Sequence, residues 1–153
     1  MYVEYSYKFR LYPNRTQENQ ILRTLGCCRF VFNHYLAIRK EVYERDGRTF
    51  NYYDCAGDVT QLKKTLEWLR EVDATALQSS LRDLDAAYQN FFRRVKRGEK
   101  PGYPRFKSKH DHRQSYKSKC VGTNIKVLDK AVQLPKLGLV KSRVSNEVKG
   151  RLL

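Results

Sequence analysis

The first eleven residues constrain this chain more than any other stretch. Val3, Tyr5, Tyr7, Phe9 and Leu11 alternate with Glu4, Ser6, Lys8 and Arg10. That is the two-residue period of a strand with one face turned inward. Nothing close by repeats it. A lone strand leaves a row of backbone donors and acceptors unpaired and its apolar face uncovered, which invites aggregation. It needs partners, and strand-like pattern returns only near the other end of the chain.

Everything between reads as helix. Pro13-Asn14 ends the strand, and Asn14 or Thr16 caps a long helix running to about Arg45. Its apolar stripe is Ile21/Leu22, Leu25, Cys28, Phe32, Tyr35/Leu36 and Val42. Asp46-Gly47 closes it, and 48–53 is a loop or short turn. A second helix covers Cys55 to Leu69 with Val59, Leu62, Leu66 and Leu69 inward. A third begins at a capping box of Thr75 with Gln78. Its stripe is Leu77, Leu81, Leu84, Tyr88, Phe91/Phe92 and Val95, with Gly98 as its C-terminal cap and Pro101 as its stop. After a basic linker, strands are expected at Gln114–Cys120, Asn124–Leu128, Ala131–Leu134 and Leu139–Arg143, with a hairpin loop at Asp129-Lys130. The fold class is therefore α+β: a small β-barrel interrupted after its first strand by three helices.

Charge gives the first indication of partners. The formal net charge is +15. Between Arg93 and Lys119 stand eleven Lys or Arg against Glu99 and Asp111, so +9 of that excess lies in one segment. Tyr103, Phe106 and Tyr116 are interleaved with the cations, among the turn residues Pro101, Gly102 and Pro104. Phosphates take cations and unstacked bases take rings, so the segment suits RNA or single-stranded DNA. An anionic membrane is the weaker reading. No apolar run approaches the roughly 20 residues of a bilayer span, and the N-terminus lacks a signal peptide's apolar core. Cys27, Cys28, Cys55 and Cys120 form no C-x-x-C pair. With His34, His110 and His112 they complete no zinc pattern, and reduced thiols in a cytoplasmic protein follow.

Three ordered stretches carry a family likeness: KFRLYPNRTQENQILRTLGCCRFVFNHYL (8–36), WLREVDATALQSSLRDLDAAYQNFFRR (68–94), and GYPRFKSK (102–109) with LPKLGLVKSR (134–143). Together they resemble the N-terminal part of TnpB proteins, transposon-encoded RNA-guided DNA endonucleases (OrfB-type transposases) related to type V CRISPR effectors. The resemblance implies a wedge domain, an oligonucleotide-binding-like barrel, interrupted by a helical recognition insert. It assigns 1–13 to the first wedge strand, 14–98 to the insert, and 99–153 to the basic linker and remaining strands. In the family these parts hold a guide RNA and read a short DNA motif beside the target. The first segment commonly carries the label of a helix-turn-helix domain. Cleavage in the family uses a RuvC-type carboxylate triad with Mg²⁺, and a zinc site lies downstream. Here no Asp in an apolar strand precedes a Gly, so no cofactor and no catalytic residue is expected in this chain. Its end at Arg151-Leu152-Leu153 reads as a truncated product or fragment, working in a bacterial or archaeal cytoplasm at the nucleoid. A stand-alone basic RNA-binding protein of ribosomal type is the alternative.

Individual residues divide accordingly. Arg93, Arg94, Lys96 and Arg97 exceed what a helix C-terminus needs for its dipole, so phosphate contact is expected. Arg105, Lys107, Lys109, Arg113, Lys117 and Lys119 continue that surface, and Lys8 and Arg10 lie on the polar face of the first strand. Phe91 and Phe92 continue the helix stripe and read as core. Tyr103 and Phe106 stay open between packing and base stacking. His110 and His112 read as loop residues near RNA or solvent. Asp83 and Asp85 read as solvated or paired with Arg82. By the resemblance, Tyr52, Gln78, Thr123 and Asn124 face target-adjacent DNA, and Gln and Asn can read adenine edges. For Gln78, capping is the competing role. The chain departs from larger or polar residues of the family at Ala74, Val121 and Gly122, so no DNA motif carries over.

Overall fold

The computed structural model describes residues 1–153 and has an α+β fold. In chain order it contains β1 (Arg10–Tyr12), α1 (Arg15–Asp46), α2 (Tyr52–Thr65), a 3-10 turn (Glu67–Arg70), α3 (Ala74–Lys96), β2 (Lys126–Val127), β3 (Ala131–Leu134) and β4 (Gly138–Arg143). The chain divides into two compact units. Met1–Leu22 with Lys119–Leu153 forms one, and Arg23–Ser118 the other, the first boundary falling inside α1. No helix is long and apolar enough to cross a membrane.

The first unit is built on a four-stranded antiparallel sheet of order β1-β4-β3-β2. The first strand does find its partner at the far end: Arg10, Leu11 and Tyr12 stand opposite Arg143, Ser142 and Lys141. The Ser142 hydroxyl donates to the Arg10 carbonyl at 3.1 Å. The strand is much shorter than its alternation suggests. Val3 (58% exposed) and Tyr5 (73%) have no covered face, and the ladder begins only at Arg10. The Asp129-Lys130 loop joins β2 to β3. The turn from β3 to β4 needs left-handed backbone at Lys136 and at Gly138, where φ is +64° and +70°. Asn14 and Gln17 exchange hydrogen bonds as a capping box at the start of α1. The Gln17 amide then donates to the Leu137 and Leu139 carbonyls, tying this first turn to the hairpin. Val132 and Val140 are the buried apolar side chains of the unit.

The second unit is helical and owns the main core. Cys28, Val31, Phe32, Tyr35 and Leu36 of α1 meet Cys55 and Val59 of α2, Leu69 of the 3-10 turn, and Leu77, Leu81, Leu84 and Tyr88 of α3. The second helix starts earlier than expected, because Asn51 and Asp54 make a capping box, and it gives way to the 3-10 turn after Thr65. The cap of α3 is Asp73 and not the expected Thr75–Gln78 pair: its carboxylate accepts the Thr75 N–H. Gln78 is left exposed on the helix. Arg39 is buried against Asp85 at 3.2 Å, and its guanidinium lies 4.0 Å from the centre of the Tyr88 ring. Asp83 pairs with Lys117 at 3.1 Å. Neither aspartate therefore takes Arg82, whose guanidinium covers the Tyr52 ring at 4.3 Å.

Gln114–Cys120 forms no strand. Tyr116, Ser118 and Cys120 still turn inward while their neighbours stay exposed. Of these, Tyr116 packs against the helical core, and the Ser118 hydroxyl reaches the Asp73 carboxylate.

Candidate nucleic-acid interface

The basic segment is pinned to the helices along its length. Helix α3 ends in a Schellman motif: the Gly98 N–H donates to the Val95 carbonyl and the Glu99 N–H to that of Arg94. Gly98 supplies the left-handed turn this requires, with φ +69°. The chain then doubles back. Gly102 comes so close to the Arg94 guanidinium that a Cβ there would stand 3.3 Å from it. Tyr103 docks on α3, its hydroxyl 2.9 Å from that of Tyr88 and its ring edge-on to Phe91 at 5.2 Å. Asn33 of α1 clamps Lys107 by both backbone groups, accepting its N–H at 2.7 Å and donating to its carbonyl at 2.9 Å. The Lys107 ammonium sits 4.4 Å from the centre of the Phe32 ring. Farther on, the Ser118 hydroxyl binds the Asp73 carboxylate, which also holds Thr75.

This pinning fixes a row of cations. Arg93, Arg94, Lys96 and Arg97 are exposed on the last turn of α3, and Arg105, Lys107, Lys109, Arg113 and Lys117 are exposed along the linker. Arg29, Lys107 and Arg113, with Asp111 as the one acid, line a polar cavity of about 110 Å³. Three cations against one carboxylate give that hollow the charge a phosphate seeks. Lys117 is paired with Asp83, and Arg97 approaches Glu99 at 4.0 Å. Both pairs are exposed and worth little, so either cation is readily released to a phosphate.

The remaining candidates are scattered. Tyr52 is half-buried under Arg82. Lys8, Arg10, Lys119, Thr123 and Asn124 belong to the sheet unit. Asn124 has a structural task, its side chain accepting the Val121 N–H at 2.7 Å and donating to the Lys119 carbonyl at 3.2 Å. Phe106 is 59% exposed, whereas Tyr103 is 43% exposed and packs one edge on α3. Phe91 and Phe92 are not core as expected: Phe91 is half-buried and Phe92 is 53% exposed, and both line an open cavity beside Tyr43 of α1. The Asn33 clamp was not foreseen, and an Asn inside an apolar helix stripe was the available signal.

The thiols are structural. Cys27, Cys28 and Cys55 are buried, and burial pushes Cys28 and Cys55 up to about 12. No three His, Cys, Asp or Glu side chains gather in a way that could hold a metal ion.

Residues 1–48 match a helix-turn-helix domain model of the OrfB/IS605 type. Within that span the structure carries β1 and the uninterrupted α1. The chain is 35% identical over 147 residues to the putative RNA-guided DNA endonuclease InsQ of Escherichia coli, covering 95% of this chain and 35% of that protein. It is 37% identical over 115 residues to a putative RNA-guided DNA endonuclease of Streptomyces pristinaespiralis, covering 74% of this chain and 27% of that one. The virulence protein VsdF of Salmonella dublin is 29% identical over 112 residues, covering 67% of this chain and 92% of VsdF. The chain thus spans about a third of the length of the two endonuclease relatives.

Proposed function

From a chain that is the N-terminal portion of a TnpB-like protein, we propose a nucleic-acid-holding module that grips a guide RNA along its basic segment. It presents Tyr52, Gln78, Thr123 and Asn124 to target-adjacent DNA. The observation that carries this reading is the anchored cation row: nine exposed Lys and Arg held on a helix end and a pinned linker. A flexible basic tail would bind polyanions too, but at the cost of ordering itself on binding. A preset row avoids that cost.

In this reading 1–13 and the strands after 99 are one wedge domain, and 14–98 is a recognition insert after its first strand. The β1–β4 pairing supports it. Cleavage belongs to the family's RuvC-type part, where Mg²⁺ activates water and Zn²⁺ holds a separate structural site. The module works in the cytoplasm at the nucleoid.

The test replaces Arg93, Arg94, Lys96 and Arg97 by Gln and measures affinity for a structured RNA across salt concentrations. Four lost phosphate contacts should flatten the log–log slope by about 3. Weaker binding with an unchanged slope would show that these residues act through folding. Sequencing the RNA that co-purifies from cells separates a transposon-end transcript from ribosomal RNA, which the ribosomal-type reading requires.

A further inference from the structure

A second cavity lies in the helical unit, away from the cation hollow. Its volume is about 230 Å³. Tyr43 comes from the last third of α1, Phe50 from the α1–α2 loop, Tyr88, Phe91 and Phe92 from α3, and Tyr103 from the folded-back linker. Six aromatic rings therefore surround one space, and the sequence pattern placed three of them, Tyr88, Phe91 and Phe92, in the inward stripe of α3. The rings brace each other: Phe91 stands edge-on to Phe92 at 5.3 Å, and Tyr88 edge-on to Tyr103 at 5.7 Å. Tyr43 is 63% exposed, so the mouth is open and apolar. An open aromatic cluster of this kind on a folded surface marks a binding site.

The lining also has polar handles. The paired hydroxyls of Tyr88 and Tyr103 retain lone pairs for a further donor. Burial and the Tyr103 hydrogen bond keep the Tyr88 phenol protonated far above neutral pH. Arg48 and Thr49 also line the cavity. Beside Tyr103, Gly102 abuts the Arg94 guanidinium, and Phe91 and Phe92 lead directly into Arg93 and Arg94. Cations thus adjoin an aromatic slot on the same helix end. That is the arrangement needed to hold a flat heteroaromatic ring and the phosphate attached to it.

We propose that this cavity holds one unstacked nucleobase of the bound strand, with Arg48 and Arg94 taking the flanking phosphates. The proposal rests on the nucleic-acid reading above and adds a base contact to its phosphate contacts. Tyr43 and Phe92 are the rings to test, because both are more than half exposed and neither belongs to the main core.

The experiment compares a single-stranded oligoadenylate with an abasic oligomer of the same length and charge, using the full chain. The wild type should prefer the base-bearing oligomer. Tyr43→Ala and Phe92→Ala should each cut that preference by about fivefold or more, the effect of losing one base–ring stack. Circular dichroism melting should confirm that both variants fold. A preference unchanged in both variants, with salt-dependent binding intact, overturns the base site and leaves the phosphate reading standing. A wild type that binds neither oligomer overturns both readings. If the substitutions change the oligomeric state on size exclusion and not the preference, the slot takes a side chain of a second copy, and the base site is wrong.

Discussion

The two units hold themselves together in different ways. The helical unit gathers fifteen buried apolar side chains into one cluster, while the sheet unit buries only Val132 and Val140. The first is therefore stabilised mainly by apolar burial. The second depends on its ladder and on polar staples such as Gln17 to the β3–β4 hairpin and Ser142 to Arg10. Staples of this kind contribute about 1 kcal/mol each, less than one well-buried leucine. The anchored cation row belongs to the helical unit.

Single core truncations test that contrast most strongly. Leu84→Ala in the helical unit should cost about 2–5 kcal/mol, since Leu84 is fully buried. Val140→Ala in the sheet unit, where Val140 is equally buried, should cost about 1.6 kcal/mol for the two carbons removed. Urea unfolding followed by helical circular dichroism and by amide exchange in β3 and β4 reads both. If Leu84→Ala lowered amide protection in β3 and β4 as much as it lowered helical stability, the two units would not be independently stabilised.

Alkaline pH should act on the helical unit next. Burial raises Cys28 and Cys55 from 9.0 to about 12, and it raises Tyr35 and Tyr88 in the same direction. These groups are neutral in the fold, so below about pH 9 they impose no penalty. Between about 9 and 12 the unfolded chain ionises first, and stability falls as pH rises. Cys28→Ala and Cys55→Ala should flatten that fall. At pH 8 a disulfide reagent should label half-buried Cys120 of the sheet unit quickly, and the three helical thiols only as fast as the unit opens. Rapid labelling of all four would contradict the packing contrast.

The smallest effect sharpens the comparison inside the linker. Asn33→Ala removes both clamps on Lys107, in an exposed setting, at a cost of about 1 kcal/mol. Amide exchange at Lys107 should speed up while the global unfolding midpoint hardly moves. A large global loss would make the linker part of the helical core.

Local signals were legible where one residue type has one strong local use. Of the two caps offered for α1, Asn14 or Thr16, Asn14 is the one used, Gly98 closed α3, and β3 spans the expected Ala131–Leu134. They misled where several residues compete for one role. Asp73 took the cap assigned to Thr75 because a carboxylate just before the first turn reaches the Thr75 N–H. Within the candidate interface, the four cations ending α3 were legible as an excess over what the helix dipole needs. The aromatic cavity was not, because four chain segments contribute to it and the stripe rule places every apolar residue of α3 on one covered face.

The sequence by itself determined the three helices, the charge segment and the need for the first strand to find a distant partner, and it placed the inward stripe of α3 correctly from Leu77 to Tyr88. Each follows from periodicity or composition, which are local and additive. Only the tertiary structure decided how much of Val3–Leu11 enters the sheet, that Gln114–Cys120 joins no ladder while Tyr116 packs on the helical core, and that Phe91 and Phe92 open onto a cavity. Those outcomes depend on where neighbouring elements end. A strand pairs, and a helix face is covered, only as far as its partner extends.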